Sequence, residues 1–191
     1  MIRSSLFLGL IVLCTSCSGL RLISQDPEIG KQLIKCPEAG FQMHFYGDYR
    51  FQKFRKSTTT SLDRKVIRQF SNQGALQFRA YTVLEPHASA ISREIPAISF
   101  KQIEKQRTQE LKSIHGVSNV HGIIKQFGEI TCYEIDFEWS TKNEQLHLIE
   151  YYFEGPKKTV QLFFWSKKDL QWLQRETSGI VKSVRLLKGS K

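Results

Sequence analysis

A chain of 191 residues, 40% of them hydrophobic and 24% charged, can bury one sizeable core, which excludes disordered, collagen-like and disulfide-dense scaffolds. Its formal net charge of +10 leaves anionic partners open, nucleic acid and membrane headgroups among them, beside the plainer reading of a solvated basic surface.

The N-terminus narrows these options. Arg3 is the only charge before an apolar run from Leu6 to Leu13, and the small residues Thr15 and Ser16 precede Cys17. A positive charge, a short apolar core and small residues before a cut make an export signal. The run is too short to span a bilayer, which needs about 20 apolar residues. The cut region resembles the lipobox of bacterial lipoproteins, in which a cysteine receives a diacylglycerol on its sulfur before the signal is removed. That resemblance makes Cys17 the lipid-bearing residue and the mature N-terminus, with residues 1–16 as signal peptide. Cys14 occupies the place where leucine is usual, and it is itself a poorer lipid site because the bulky Leu13 stands directly before it. The alternative is a plain secretory signal with two bystander cysteines. Ser18 resembles the residues that permit transfer onward, so the expected location is the bacterial outer membrane, facing the periplasm. Cleavage removes no charge but Arg3 and leaves a net +9. An exported protein rarely meets nucleic acid, so the anionic headgroups of the membrane that holds it are the more available partner.

Residues 17–36 read as the lipidated end and a tether with at most one short helical turn, since Ser18 to Lys35 has no sustained periodicity and contains Pro27 and Gly30. A single globular domain follows over 37–191. Cys36 and Cys132 remain once Cys17 is used; exported surroundings permit a disulfide between them, and two buried thiols fit equally. Their spacing suits no metal motif, because zinc ligands come in close pairs. Gly40 to Phe54, rich in aromatics, reads as two extended pieces around Gly47-Asp48. Ser57 to Ser61 reads as an exposed loop. Lys65–Phe70 and Ala75–Leu84 flank Ser71-Asn72-Gln73-Gly74 and read as a strand pair, ended by Glu85-Pro86.

From about Ala97 to Ile114, Phe100, Ile103, Leu111 and Ile114 recur at helical spacing, with Gly116 placed to close the helix. Between Ile130 and Trp139, Tyr133, Ile135, Phe137 and Trp139 alternate with Glu134, Asp136 and Glu138, the signature of a strand with one apolar face. Ser140–Glu144 turns the chain. Pairing Phe137 with Ile149 sets Ile135 opposite Tyr151 and Tyr133 opposite Phe153, three large cross-strand pairs. Gly155-Pro156-Lys157-Lys158 turns again into a third strand, Thr159–Trp165, apolar on both faces and therefore covered on both. One cover is a helix from about Lys167 to Lys182, with Ser166 and Asp169 as a capping box and Leu170, Leu173, Ile180 and Val184 as its inner stripe. The other is the helix around Ile103.

The order of strand pairs, charged helix, three-strand meander, final helix and closing strand through Val184, Leu186 and Leu187 resembles the PsbP-like family. The residues that carry the likeness are Gly40-Phe41, Gly74-Ala75-Leu76-Gln77-Phe78, Glu85, the Tyr133–Phe164 meander and Ser183-Val184-Arg185, over roughly residues 38 to 188. The resemblance implies an α+β sandwich, a mainly antiparallel sheet covered by helices on both faces. It also implies a role in assembly or stabilisation rather than catalysis, although fold likeness does not transmit function.

Glu134, Asp136 and Glu138 share a face, with Glu150 opposite Asp136 in the register above; such acids could bind a cation or share a proton. Equally, basic residues of the first helix could lie over them, or they could sit at a wet sheet margin. His44, His87, His115, His121 and His147 are scattered without a zincin pattern, and neither a nucleophile elbow nor a phosphate-binding glycine loop occurs. The run Phe51-Gln52-Lys53-Phe54-Arg55-Lys56 reads as a headgroup or nucleic-acid patch, or as a charged strand edge. No catalytic, cofactor or metal residue is expected. The expected function is a lipid-anchored, non-enzymatic binding or assembly module for an envelope protein. A binder of anionic lipid or a small ligand is the alternative, and a hydrolase stands behind both.

Overall fold

The computed structural model describes residues 25–26, 31–46, 49–52, 60–70, 75–82 and 87–187. The elements run β1 (Gln25–Asp26), β2 (Lys31–Cys36), β3 (Phe41–Phe45), β4 (Tyr49–Gln52), α1 (Ser61–Phe70), β5 (Ala75–Thr82) and β6 (Ala88–Pro96). After these come α2 (Phe100–Ser113), β7 (Val117–Phe127), β8 (Ile130–Ser140), β9 (Gln145–Glu154), β10 (Lys158–Ser166), α3 (Leu170–Lys182) and β11 (Arg185–Leu186). A seven-stranded sheet in the order β4-β5-β6-β10-β9-β8-β7 and a small sheet β1-β2-β3-β11 are antiparallel throughout.

β10 stands at the centre of the large sheet because both its faces are apolar, and the alternation of its side chains divides the core in two. Val160, Leu162 and Phe164 join Ile149, Tyr151 and Phe153 of β9 under Leu173, Ile180 and Val181 of α3 and Phe41, Met43 and Phe45 of the small sheet. Phe163 and Trp165 join Ile135, Phe137 and Trp139 of β8 under Ile103 and Leu111 of α2 and Val66 and Phe70 of α1. The sheet is thus covered on both faces: α3 and the small sheet on one, α1 and α2 on the other.

Local chemistry sets the helix ends. Ser99 caps α2 reciprocally with Gln102, a capping box. α3 begins at Asp169, whose carboxylate accepts from Trp172 N at 2.8 Å; Ser166 is not part of a box with it, and its hydroxyl instead donates to His87 O and accepts from Lys168 N. Gly116, with φ +84°, follows α2 at a point where a Cβ would meet Ser140 O at 2.2 Å, so its place requires glycine for both conformation and space.

Four expectations change. Ser61–Phe70 is helix rather than half of a strand pair: Leu62, Val66 and Phe70 recur every four residues, Thr60 Oγ1 accepts from Asp63 N, and buried Asp63 accepts from Trp165 Nε1 at 2.8 Å. Lys31–Cys36 is strand rather than tether, paired with β3 from Gln32↔Phe45 to Cys36↔Phe41. Phe137 pairs with Leu148, not Ile149, so Ile135 faces Glu150 and Tyr133 faces Tyr152. β9 is apolar on both faces, so its pattern accepts either register. The strands β6 and β7 complete the sheet where no element was expected.

Candidate functional site

The one-residue shift in register changes the surroundings of every acid on the meander. Glu150 lies on the α2 face, fully buried, and Arg107 holds it bidentately: Nη2 donates to Oε1 at 2.6 Å and Nε to Oε2 at 3.0 Å. Tyr152 Oη donates to Oε2 at 2.6 Å and accepts from Gln161 Nε2, while Arg107 Nη2 also reaches Phe70 O in α1. Burial alone would lower the pKa of Arg107, but adjacent Glu150 more than reverses this and the guanidinium stays charged. Burial, then Glu150, pushes the Tyr152 phenol well up. Each partner is satisfied, so this network joins α1, α2 and the sheet, and leaving either ion alone would be strongly destabilising.

Glu134 and Asp136 lie on the opposite face, both buried. Their cover is not the first helix, nor is this a wet margin: Lys125 of β7 pairs with Glu134 at 2.7 Å, Gln174 of α3 approaches the same oxygen at 3.5 Å, and His121 stands 3.6 Å from Asp136. Asp136 is opposite Ile149, not Glu150. Glu138 is half-exposed beside His147 at 3.8 Å. Among the described residues no group of three or more His, Cys, Asp or Glu is placed to hold a metal.

An open groove of about 1000 Å³ lies where the β7–β8 hairpin, the small sheet and the end of α3 meet. Its basic lining is Lys35, Lys182 and Arg185; Phe127, Ile130, Leu186 and Leu187 supply apolar wall. Lys35 pairs across β2–β3 with Gln42, and Gln42 pairs across β3–β11 with Arg185. The three therefore form one row across three strands, the backbones of Lys35 and Arg185 roughly 10 Å apart at the usual strand spacing. Arg185 Nη1 donates to Lys182 O and Val184 O, which holds the guanidinium at the end of α3. Glu129 also lines the groove, yet no acid pairs with Lys35, Lys182 or Arg185 among the described residues. Chemically, the groove suits an anionic group carried next to apolar surface.

Of the residues singled out in the sequence, Cys17 lies outside the described residues, as do residues 53–56 of the aromatic and basic run. Cys36 and Cys132 are both buried in the core on the α3 face and are not bridged to each other. Burial pushes the Cys132 thiol up to about 12, which suits a packing residue rather than a nucleophile. The five histidines do not converge. The groove was not foreseen: Lys35 and Gln42 stand far from Lys182 and Arg185 in sequence and meet them only through strand pairing and the position of the end of α3.

No protein-family model matches the sequence, and neither does any curated protein. Solved structures do match. LpqN of Mycobacterium tuberculosis, described as involved in cell envelope biogenesis, superimposes with a TM-score of 0.53 at 11% identity, over 84% of this chain and 92% of that one. The cyanobacterial PsbP of Synechocystis gives 0.53 at 10% identity, over 91% of this chain and 98% of that one. At such identities the likeness concerns architecture, and the architecture of this chain is the PsbP-like α+β sandwich.

Proposed function

We propose that this protein is a non-enzymatic binding module of the bacterial cell envelope, held to its membrane by lipid on Cys17, with the groove between the β7–β8 hairpin and the end of α3 as its binding surface. The observation that carries the reading is the group of cations without acidic partners among the described residues, Lys35 and Arg185 flanking Gln42 with Lys182 beside them, set against apolar wall. Three cations against the single acid Glu129 give a concave, partly apolar surface an excess of positive charge, which attracts an anionic partner and fixes its orientation. The export signal and the lipobox-like Thr15-Ser16-Cys17 support the location, as does the PsbP-like fold that this chain shares with an envelope-biogenesis protein. Among the described residues no helix is long and apolar enough to cross a membrane. The partner on this reading is an envelope protein presenting acidic side chains.

A second reading, anionic lipid headgroups, is favoured by reach. Seven residues separate Cys17 from Gln25, a span of at most roughly 25–30 Å, which keeps the groove close to the bilayer. A photo-cross-linking side chain at Leu186 in living cells tests both. A protein adduct that disappears in the Lys35→Glu/Lys182→Glu variant supports the first reading, and a lipid adduct with the same charge dependence supports the second. An adduct pattern indifferent to charge reversal, or none at all, contradicts the groove as a binding surface.

A further inference from the structure

The large sheet ends in β7, eleven residues long, whose outer edge meets no other strand among the described residues. A long open edge offers unpaired backbone groups to any extended chain, and proteins usually blunt it with a bulge or with charge. β7 is blunted only at its start. Its pairing with β8 slips between Ser118 and His121, where Asn119 takes φ 52°, and then runs regularly from His121↔Asp136 to Phe127↔Ile130. In that regular stretch stand Ile123 and Ile124, 42% and 58% exposed; with Leu186 of the groove they are the exposed large hydrophobics among the described residues. Being adjacent, they point to opposite faces of the sheet. A helix or a membrane surface would cover one of them, whereas an added strand covers both.

Charge indicates what that strand carries. β7 holds no acidic side chain, and its Lys125 is already matched by Glu134. The unbalanced positive charge lies beyond its Phe127 end, where Lys35, Lys182 and Arg185 line the groove to which Phe127 itself contributes. We infer that Gly122–Phe127 binds an extended segment of a partner protein by strand addition. Neighbouring apolar residues of that segment, one on each face of the sheet, lie against Ile123 and Ile124, and acidic residues follow where it passes into the groove. Backbone hydrogen bonds then supply the affinity and the alternating side chains the selectivity. This inference rests on the groove being the binding surface and specifies how a protein partner occupies it.

The test uses the full-length lipidated protein in detergent micelles and two synthetic peptides that share a Val-Ile-Val-Thr segment, apolar on both faces, one ending in Glu-Glu and the other in Lys-Lys. With the acidic peptide, amide hydrogen exchange across Gly122–Phe127 slows, and Ile123→Ser/Ile124→Ser weakens binding about tenfold, equivalent to about 1.4 kcal/mol. Equal binding of the Lys-Lys peptide overturns the acidic specificity. Slowed exchange confined to the groove strands around Gln42 and Leu186 overturns strand addition while leaving the groove reading intact. Unchanged exchange on β7 with either peptide overturns the inference. Concentration-dependent protection of β7 without peptide does so too, by assigning the edge to a second copy of this chain.

Discussion

Asp136 shows how a buried carboxyl can be accommodated without chemistry. Burial raises its pKa above 3.8, the effect of His121 opposes this, and Glu134 adds to it. A carboxyl whose folded pKa lies above its unfolded value favours the folded state most at low pH, and that contribution is lost as pH rises through the folded pKa. Asp136→Asn is therefore expected to match the wild type in thermal melts near pH 3 and to exceed it near pH 7. A variant less stable at pH 7 than at pH 3, relative to wild type, would contradict this. The sequence placed Glu134, Asp136 and Glu138 on one strand face, and that much was legible from a period of two. Their partners were not, because Lys125 and His121 sit on β7, which has no apolar face to mark it, and Gln174 lies 40 residues away on α3. Arg185, Lys182 and Lys35 were equally invisible as a group, since no local spacing relates them.

At the scale of elements, legibility followed the strength of the local pattern. β8 alternates so regularly that its inward face, Tyr133, Ile135, Phe137 and Trp139, was read correctly and is buried against α1 and α2. β10, apolar on both faces, and α3, with its helical stripe of Leu170, Leu173 and Ile180, carry patterns as strong. β6 was not, because Ala88-Ser89-Ala90-Ile91-Ser92-Arg93 has little strand propensity; its position between β5 and β10 overrides that weakness. β7 escaped because most of its residues are exposed and no apolar face marks it. Lys65–Phe70 was expected to be extended because it leads into Ser71-Asn72-Gln73-Gly74, the chemistry of a short loop in a strand pair, although Leu62, Val66 and Phe70 carry the helical repeat. The strand faces lead to a direct comparison. Phe137, 1% exposed, tilted against Phe70 at 5.3 Å and stacked on Phe163 at 6.4 Å, should cost roughly 3–5 kcal/mol when truncated to alanine, as buried aromatics do. Glu138→Ala, at a half-exposed neighbour on the other face, should cost far less. Equal losses in denaturant titrations would invalidate the assignment of faces.

On the scale of the whole molecule, a single antiparallel sheet with helices on both faces was legible from element order, and the PsbP-like architecture agrees with it. The small sheet was not, because β2 lay inside what read as a tether and β11 is only two residues long. Yet those strands make the groove: β2, β3 and β11 set Lys35, Gln42 and Arg185 in a row, and α3 brings Lys182 beside them. An envelope binding module needs such a surface and a means of staying at the membrane, and on this account the second is the diacylglycerol on Cys17. An acyl chain contributes about 0.8 kcal/mol per buried methylene, and two chains anchor stably where one holds only marginally. Labelling with radioactive fatty acid in cells producing the wild type, Cys14→Ser and Cys17→Ser tests this most directly. Label should appear on the first two and be missing from Cys17→Ser, which should accumulate as an uncut or soluble product. Label retained on Cys17→Ser would contradict the account and move the anchor to Cys14.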